Sequence, residues 1–299
     1  ADRAAARALF ADYRARRAAQ TIRRQDADLA CFTAYLAAAQ AAPSGDLASD
    51  PLAWSGISWG LVAGFLVWQG QQGYAIGSIN VRLATVKAYA KLATQAGAIA
   101  ADAYALIALV PGYRVNEGRR VDAKREATRK AGAKKAEPTS ITREQAQLLK
   151  AQPEPRDALL MALLLDHGLR VGEVVLLRVK DFDQARGVLR FFRPKVDKVQ
   201  QHTLSAAARA ALDAGALDGE DGALFGSERT IRRRVLAFGQ ALGLAALSPH
   251  DCRHAWATFA TRAGTPLKAL QDAGGWSSPA MPLRYAESEA IANTGVKLD

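Results

Sequence analysis

The sequence predicts a mainly α-helical protein with a small β-sheet, divided into an all-α N-terminal domain and an α+β C-terminal domain. Three observations carry that expectation. The chain has 299 residues, and roughly 150 residues per domain suggests two domains. Apolar residues recur at helical spacing through both halves, and only one stretch, near residue 190, switches to a period of two. Between the halves lies a basic segment poor in large apolar residues. The boundaries expected are 1–113, a linker over 114–138, and 139–299.

Composition excludes several classes. Hydrophobic residues make up 49% and aromatics 7%, enough for a core in each half, so a wholly disordered chain is excluded. The longest apolar run, Ala158–Leu165, has eight residues, far below the roughly 20 of a membrane span. Cys31 and Cys252 are too few for a disulfide framework, which makes a reducing cytoplasm the default. The first twenty residues are rich in Ala and Arg, but Asp2 and Asp12 argue against a transit peptide, and no secretory apolar region follows. Forty Lys and Arg against 29 Asp and Glu leave +11, the balance of a chain that meets a polyanion.

Taken in order, residues 9–40 alternate Arg-rich and apolar positions as helices do. Ser58 caps a helix through Trp59, Phe65 and Trp68 that ends at the glycines at 70 and 73, and Ser78 caps another whose buried stripe reads Ile79, Leu83, Val86, Ala90, Ala93. On the latter helix Asn80, Lys87, Lys91 and Thr94 form a polar-basic stripe, either facing phosphates or simply solvated; on the stripe alone the solvated reading is favoured. Gly97 ends that helix.

From Arg114 to Lys135 there are nine basic residues, among them Lys124, Arg125, Arg129 and Lys130, and three acidic ones. This +6 stretch reads as an exposed linker suited to DNA phosphates, the alternative being a solvated loop. Beyond it, Thr142 and Gln145 form a capping box for a helix to Lys150. A helix over 156–167 follows, then a break at Gly168 and a second helix over 171–178. Val188–Arg193 and Val199–Leu204 read as a hairpin around Pro194-Lys195-Val196-Asp197-Lys198. A basic helix carries Arg229, Arg232, Arg233 and Arg234, the last three also assigned to DNA. Ser248-Pro249, Thr265-Pro266 and Ser278-Pro279 each place a cap residue before a proline in the first helical position, and glycines at 264 and 274–275 stop the first two helices.

The chemistry-bearing residues fall at the joints of these elements. His250 lies in the first turn of one helix with Arg253 three positions on, where backbone N–H groups and a guanidinium favour an anion. An isolated pair of this kind is more often only solvated. His250 and His254 also have the spacing of zinc ligands, but Asp251 stands where a metalloprotease needs Glu, and His167 and His202 bring no Cys-x-x-Cys. Arg170 and Glu173 sit three apart, so that Glu173 can orient a buried arginine. Lys195 occupies the hairpin tip, and Gly274-Gly275-Trp276 precedes a short helix with Tyr285.

The order Arg, Lys, His-x-x-Arg, Trp, Tyr resembles the signature of the tyrosine site-specific recombinases, the phage integrase family. GLRVGEVVLLRVKDFD matches the first arginine box, SPHDCRHAWAT the second, and GGWSSPAMPLRYA the tyrosine box, with nine positions from Trp276 to Tyr285. Trp at 276, within GGW, is similar to Cre recombinase, as is Thr294-Gly295; Cys252 stands where leucine is common. The resemblance covers 139–290 by motif and extends to the N-terminal half by architecture.

The resemblance implies an N-terminal core DNA-binding domain, a linker that lets the protein clamp its site, and a catalytic domain. It implies Tyr285 as nucleophile, Arg170 and Arg253 on the phosphate, Lys195 as acid for the leaving 5′ oxygen, His250 as acid–base partner, Trp276 as buttress and Glu173 as support for Arg170. The expected product is a 3′-phosphotyrosine. No metal, ATP or other cofactor is expected. Partners would be double-stranded DNA with inverted repeats and three further copies of the chain on DNA, with residues 286–299 docking on a neighbour; the chain would be a monomer in solution and nucleoid-associated in a prokaryotic cytoplasm. The alternatives are a type IB-like topoisomerase and a DNA-binding protein with a vestigial active site.

Overall fold

A computed structural model describes residues 2–124, 138–218 and 222–287 of the chain. It divides into two compact units, Ala1–Lys134 and Lys135–Asp299.

The first unit is all-helical: α1 (Asp2–Ala15), α2 (Ala19–Ala38), α3 (Trp59–Gln71), α4 (Ile76–Gln95), α5 (Ala101–Leu109) and α6 (Val115–Lys124). Its centre is aromatic. Phe32 packs against Trp54 and Phe65 with centroids 6.0 and 4.9 Å away, and Trp54, fully buried, satisfies its indole N–H on the Leu47 carbonyl at 2.9 Å. Losing such a ring costs about 3–5 kcal/mol. Buried Asp28 is neutralised by Arg24 at 3.1 Å and accepts from the Thr85 hydroxyl at 2.7 Å.

Ser58 caps α3 as its position implies, accepting from the Leu61 N–H. The start of α4 differs: the helix begins at Ile76, two residues before Ser78, with Ala75 at the cap and no side-chain bond there. Apolar burial of Ile76 fixes that boundary rather than capping chemistry. The expected stripe, Ile79 through Ala93, is buried. The segment expected as exposed linker is helical over its first part, since α6 packs on α4 with Gly118 so close to Ile76 that a Cβ there would lie 2.8 Å from its Cγ2.

The second unit is built on α8 (Pro155–Leu165), whose residues Leu159–Leu165 are all buried. A helix apolar on every side belongs at the centre of its domain, and α8 is flanked by α7 (Arg143–Lys150), α10 (Ala206–Asp213) and α12 (Pro249–Arg262). Around them lie α9 (Val171–Val174), α11 (Glu228–Ala241), α13 (Leu267–Gly274) and α14 (Ala280–Glu287). The helix expected over 171–178 is cut to α9, followed by a 3₁₀ turn at Val179–Asp181. The Thr142–Gln145 capping box is present, as is one between Ser248 and Asp251. Of the three prolines expected in a first helical position, Pro249 alone takes it; Pro266 is itself the cap of α13, and α14 begins at Ala280, after Pro279.

The sheet has three antiparallel strands in the order β1 (Phe182–Asp183), β2 (Val188–Arg193), β3 (Lys198–Thr203). The hairpin register pairs Phe191 with Gln200 and Arg193 with Lys198. Alternation along β2 sends Leu189, Phe191 and Arg193 inward, and Arg190 and Phe192 outward. Thus an arginine occupies a core-facing position.

Candidate active site

Four segments of the second unit meet at the turn after α13. The first begins where α8 ends. Gly168 adopts φ +60°, and a Cβ there would lie 2.3 Å from the Trp256 ring, so only glycine fits. This turn leaves the Gly168 carbonyl free of helix pairing and aimed at α12, where it accepts from Arg253 Nη1.

Arg170 follows at the cap of α9. Glu173, 2% exposed, accepts from the Arg170 backbone N–H at 2.8 Å and from its Nη1 at 2.9 Å. The same carboxylate takes a second guanidinium, Arg193 Nη1, at 3.3 Å. Arg193 is the residue that the sequence reading missed. Its signal was present: β2 alternates, and position 193 shares a face with Leu189 and Phe191.

The third segment is the C-terminal end of α13. Gly275 at its cap is left-handed, φ +58°, and the last carbonyls of the helix point at cations, as the negative end of the helix dipole favours. Arg193 donates to Ala273 O at 2.6 Å and Gly274 O at 2.9 Å. Arg253 Nη2 donates to Gly274 O at 2.5 Å, and Arg170 Nη2 to Gly275 O at 3.4 Å. Three arginines therefore gather on one short turn, with Glu173 the carboxylate bonded to two of them. Burial pulls the Arg193 pKa down to about 10, against the opposing effect of Glu173, so it stays charged at neutral pH.

Trp276 completes the group. Its ring lies over the Arg253 guanidinium at 4.6 Å, with Trp256 at 5.9 Å, a cation–π arrangement that orients the arginine. A Cβ on Gly274 would lie 2.2 Å from the Trp276 ring, which is why the box reads Gly-Gly-Trp. Arg253 is 4% exposed, whereas the Arg170 side chain retains 24% exposure.

Two further expected residues are exposed: His250 in the first turn of α12, one turn before Arg253, and Lys195 in the β2–β3 turn, two residues past Arg193. Tyr285 falls in α14, which packs on α12 and α13; its side chain is outside the described residues. Cys252 is fully buried in the core of this unit. Buried His167 stacks on half-buried His202 at 5.7 Å, and burial lowers their pKa values to about 4 and about 3. Among the described residues no three His, Cys, Asp or Glu gather as metal ligands.

The DNA-contact expectations divide. Asn80 is spent on the Tyr113 backbone, donating to its carbonyl at 2.8 Å and accepting from its N–H at 2.9 Å. Lys87 donates to the Ala108 and Val110 carbonyls at 2.7 and 2.6 Å, and burial lowers its pKa. Arg234 forms a partly buried ion pair with Asp157. All three are bonded within their own unit, a use that the sequence reading did not anticipate. Thr94 likewise bonds the Ala90 carbonyl at 2.9 Å. Lys91, Arg232 and Arg233 are exposed, with Arg232 3.4 Å from Glu228. Lys124 ends α6 with its side chain undescribed, and Arg125, Arg129 and Lys130 lie outside the described residues.

Residues 139–290 match the model of the phage integrase family, and the chain belongs to that family of tyrosine recombinases. It is 26% identical over 249 residues to the tyrosine recombinase XerC of Roseiflexus sp. (strain RS-1), covering 75% of this chain and 72% of that one. The XerC of Roseiflexus castenholzii is 27% identical over 246 residues, 76% of this chain and 73% of that one. In fold the chain is similar to a lambda integrase dimer bound to a COC′ core site, with TM-score 0.63, 15% identity, and 98% and 80% of the two chains covered. It is also similar to the Tn1549 transposon integrase in complex with a circular intermediate DNA, with TM-score 0.61, 16% identity and 94% of each chain covered. Among the described residues no helix is long and apolar enough to cross a membrane.

Proposed function

We propose that the chain is a site-specific DNA recombinase that exchanges strands through a 3′-phosphotyrosine intermediate, acting as a homotetramer on paired sites of double-stranded DNA. The observation that carries this reading is the convergence of Arg170 and Arg253 on the Gly274–Gly275 turn. Those arginines come from separate boxes of a phage integrase family domain.

The Tyr285 hydroxyl attacks the scissile phosphorus and gives up its proton to His250. The new Oη–P bond forms as the bond to the 5′ oxygen breaks, and Lys195 protonates that oxygen. A phenol has a pKa of about 10, so it needs such an acceptor near neutrality. Arg170 and Arg253 bind the non-bridging oxygens as charge builds in the transition state, each worth roughly 10²- to 10³-fold by analogy with oxyanion donors. Glu173 holds Arg170 by two hydrogen bonds, and Trp276 holds Arg253 by its ring face. Two guanidinium groups and an ammonium supply the positive charge that a metal supplies in other phosphoryl transfers. The phosphotyrosine conserves the bond energy, so another strand's 5′ hydroxyl can reverse the step without ATP. Residues 139–299 serve as the catalytic domain. Residues 1–113, with Lys91 and the basic segment up to Lys135, bind DNA alongside Arg232 and Arg233.

The test is a nicked suicide duplex built on a site selected by the protein from random DNA. Wild type accumulates covalent protein–DNA adduct; Tyr285→Phe binds the duplex but yields none. Relaxation of a plasmid lacking the site, without strand exchange, would replace this reading with that of a topoisomerase.

A further inference from the structure

The proposed chemistry makes no use of Arg193, yet Arg193 is fully buried and stands among the largest fully buried side chains of the described residues. Its strand neighbours on the same face, Leu189 and Phe191, are apolar and buried. A residue that only filled space at 193 would be satisfied by more of the same, without the cost of desolvating a charge. Instead its guanidinium is bonded to two separate parts of the unit: Glu173 at 3.3 Å in α9, and the end of α13 through Gly274 O at 2.9 Å and Ala273 O at 2.6 Å. Gly275 accommodates it, since a Cβ there would lie 2.7 Å from Arg193 Cδ.

Arg193 is also the last residue of β2. It pairs with Lys198 across the base of the turn that carries Lys195, and its carbonyl accepts from the Val196 N–H at 3.2 Å. The other strand is tied to the same place, for Gln200 Nε2 donates to Asp272 O at 2.7 Å. Both strands of the hairpin are thus fastened to the carbonyls that end α13. Those carbonyls also hold Arg253, and the adjacent one holds Arg170.

We propose that Arg193 is a positioning residue that fixes the Lys195 turn against the phosphate-binding arginines, so that the lysine ammonium meets the departing 5′ oxygen. The role rests on the strand-exchange reading above. A lysine at 193 has one ammonium in place of a planar fork and cannot span Glu173 and two carbonyls at once.

The experiment compares single-turnover adduct formation on two suicide duplexes, one with the ordinary 5′ oxygen and one with sulfur at that bridging position. Sulfur departs as a thiolate and needs no proton, so it separates loss of the acid from loss of the site. Lys195→Ala serves as the reference for acid loss, and thermal melts report folding. Arg193→Lys is expected to slow the oxygen duplex by roughly 10²-fold, the scale of a lost general acid, while the sulfur duplex reacts close to the wild-type rate. Equal slowing on both duplexes, or none on oxygen, overturns the proposal. Should Arg193→Lys fail to fold, Gln200→Ala decides by the same criterion: slowing confined to oxygen supports the role, and equal slowing or none overturns it. Wild-type protein inert on both duplexes would instead overturn the strand-exchange reading, and the positioning role with it.

Discussion

Glu173 offers the sharpest quantitative test of the site's electrostatics. Its carboxylate is 2% exposed and bonded to two guanidinium groups, Arg170 at 2.9 Å and Arg193 at 3.3 Å. Removing it leaves Arg193 buried with no counter-charge bonded to it, and breaking a buried pair from one side costs about 3–5 kcal/mol. Because the Arg170 side chain keeps 24% exposure, water screens part of that loss, and about 3 kcal/mol is the expected value for Glu173→Ala. At roughly 2–4 °C per kcal/mol for a domain of this size, Tm should fall by about 6–12 °C. Thermal melts of wild type, Glu173→Ala, Arg193→Met and the double variant measure it. The double variant should cost at least about 1 kcal/mol less than the sum of the single ones, since the two groups are bonded to each other. Strict additivity, or a Tm change below about 2 °C, would refute the idea that this carboxylate compensates the arginines.

Other consequences are as direct. Gly274→Ala places a methyl 2.2 Å from the Trp276 ring; overpacking of about 1–3 kcal/mol should lower Tm and shift tryptophan fluorescence, and an unchanged spectrum would count against the packing. His167, with its pKa lowered to about 4, favours the neutral folded state. Stability from this group is complete above the unfolded value of about 6.5 and is lost as pH falls toward 4, about 2 kcal/mol by pH 5. His202, lowered to about 3 but half-buried, adds a smaller share in the same direction. Denaturant titrations at pH 7.5 and 5 measure the loss, and His167→Gln should flatten it. Replacing Lys124, Arg125, Arg129 and Lys130 by alanine should weaken binding to all DNA sequences alike and reduce the log–log salt slope by about 0.9 for each phosphate that these side chains neutralise; weakening at one DNA sequence alone would mean that they read bases.

Local signals in the sequence located most of the elements. Ser58, Thr142 and Ser248 cap the helices they were expected to cap, because capping needs only the residue and its next turn. The hairpin was legible from its alternation. What failed was decided by tertiary packing. α4 starts at Ile76 because that side chain is buried, and residues 115–124 are helical because Gly118 lets them lie against Ile76. Asn80 and Lys87 lie on a stripe that the sequence leaves as either phosphate-facing or solvated, but their partners are backbone groups up to 33 residues away along the chain. In the site, the Arg170–Glu173 spacing was visible, since both sit in one turn. The second guanidinium on Glu173 comes from a strand 20 residues on; the alternation of β2 puts Arg193 on the buried face, but no local pattern names Glu173 as its partner.

The proposed strand exchange turns on which atom becomes joined to DNA. Adduct trapped on the suicide duplex, trimmed by nuclease and protease and sequenced by tandem mass spectrometry, should carry its nucleotide on Tyr285 through a 3′ phosphate. A nucleotide attached to any other residue, or through a 5′ phosphate, would contradict it.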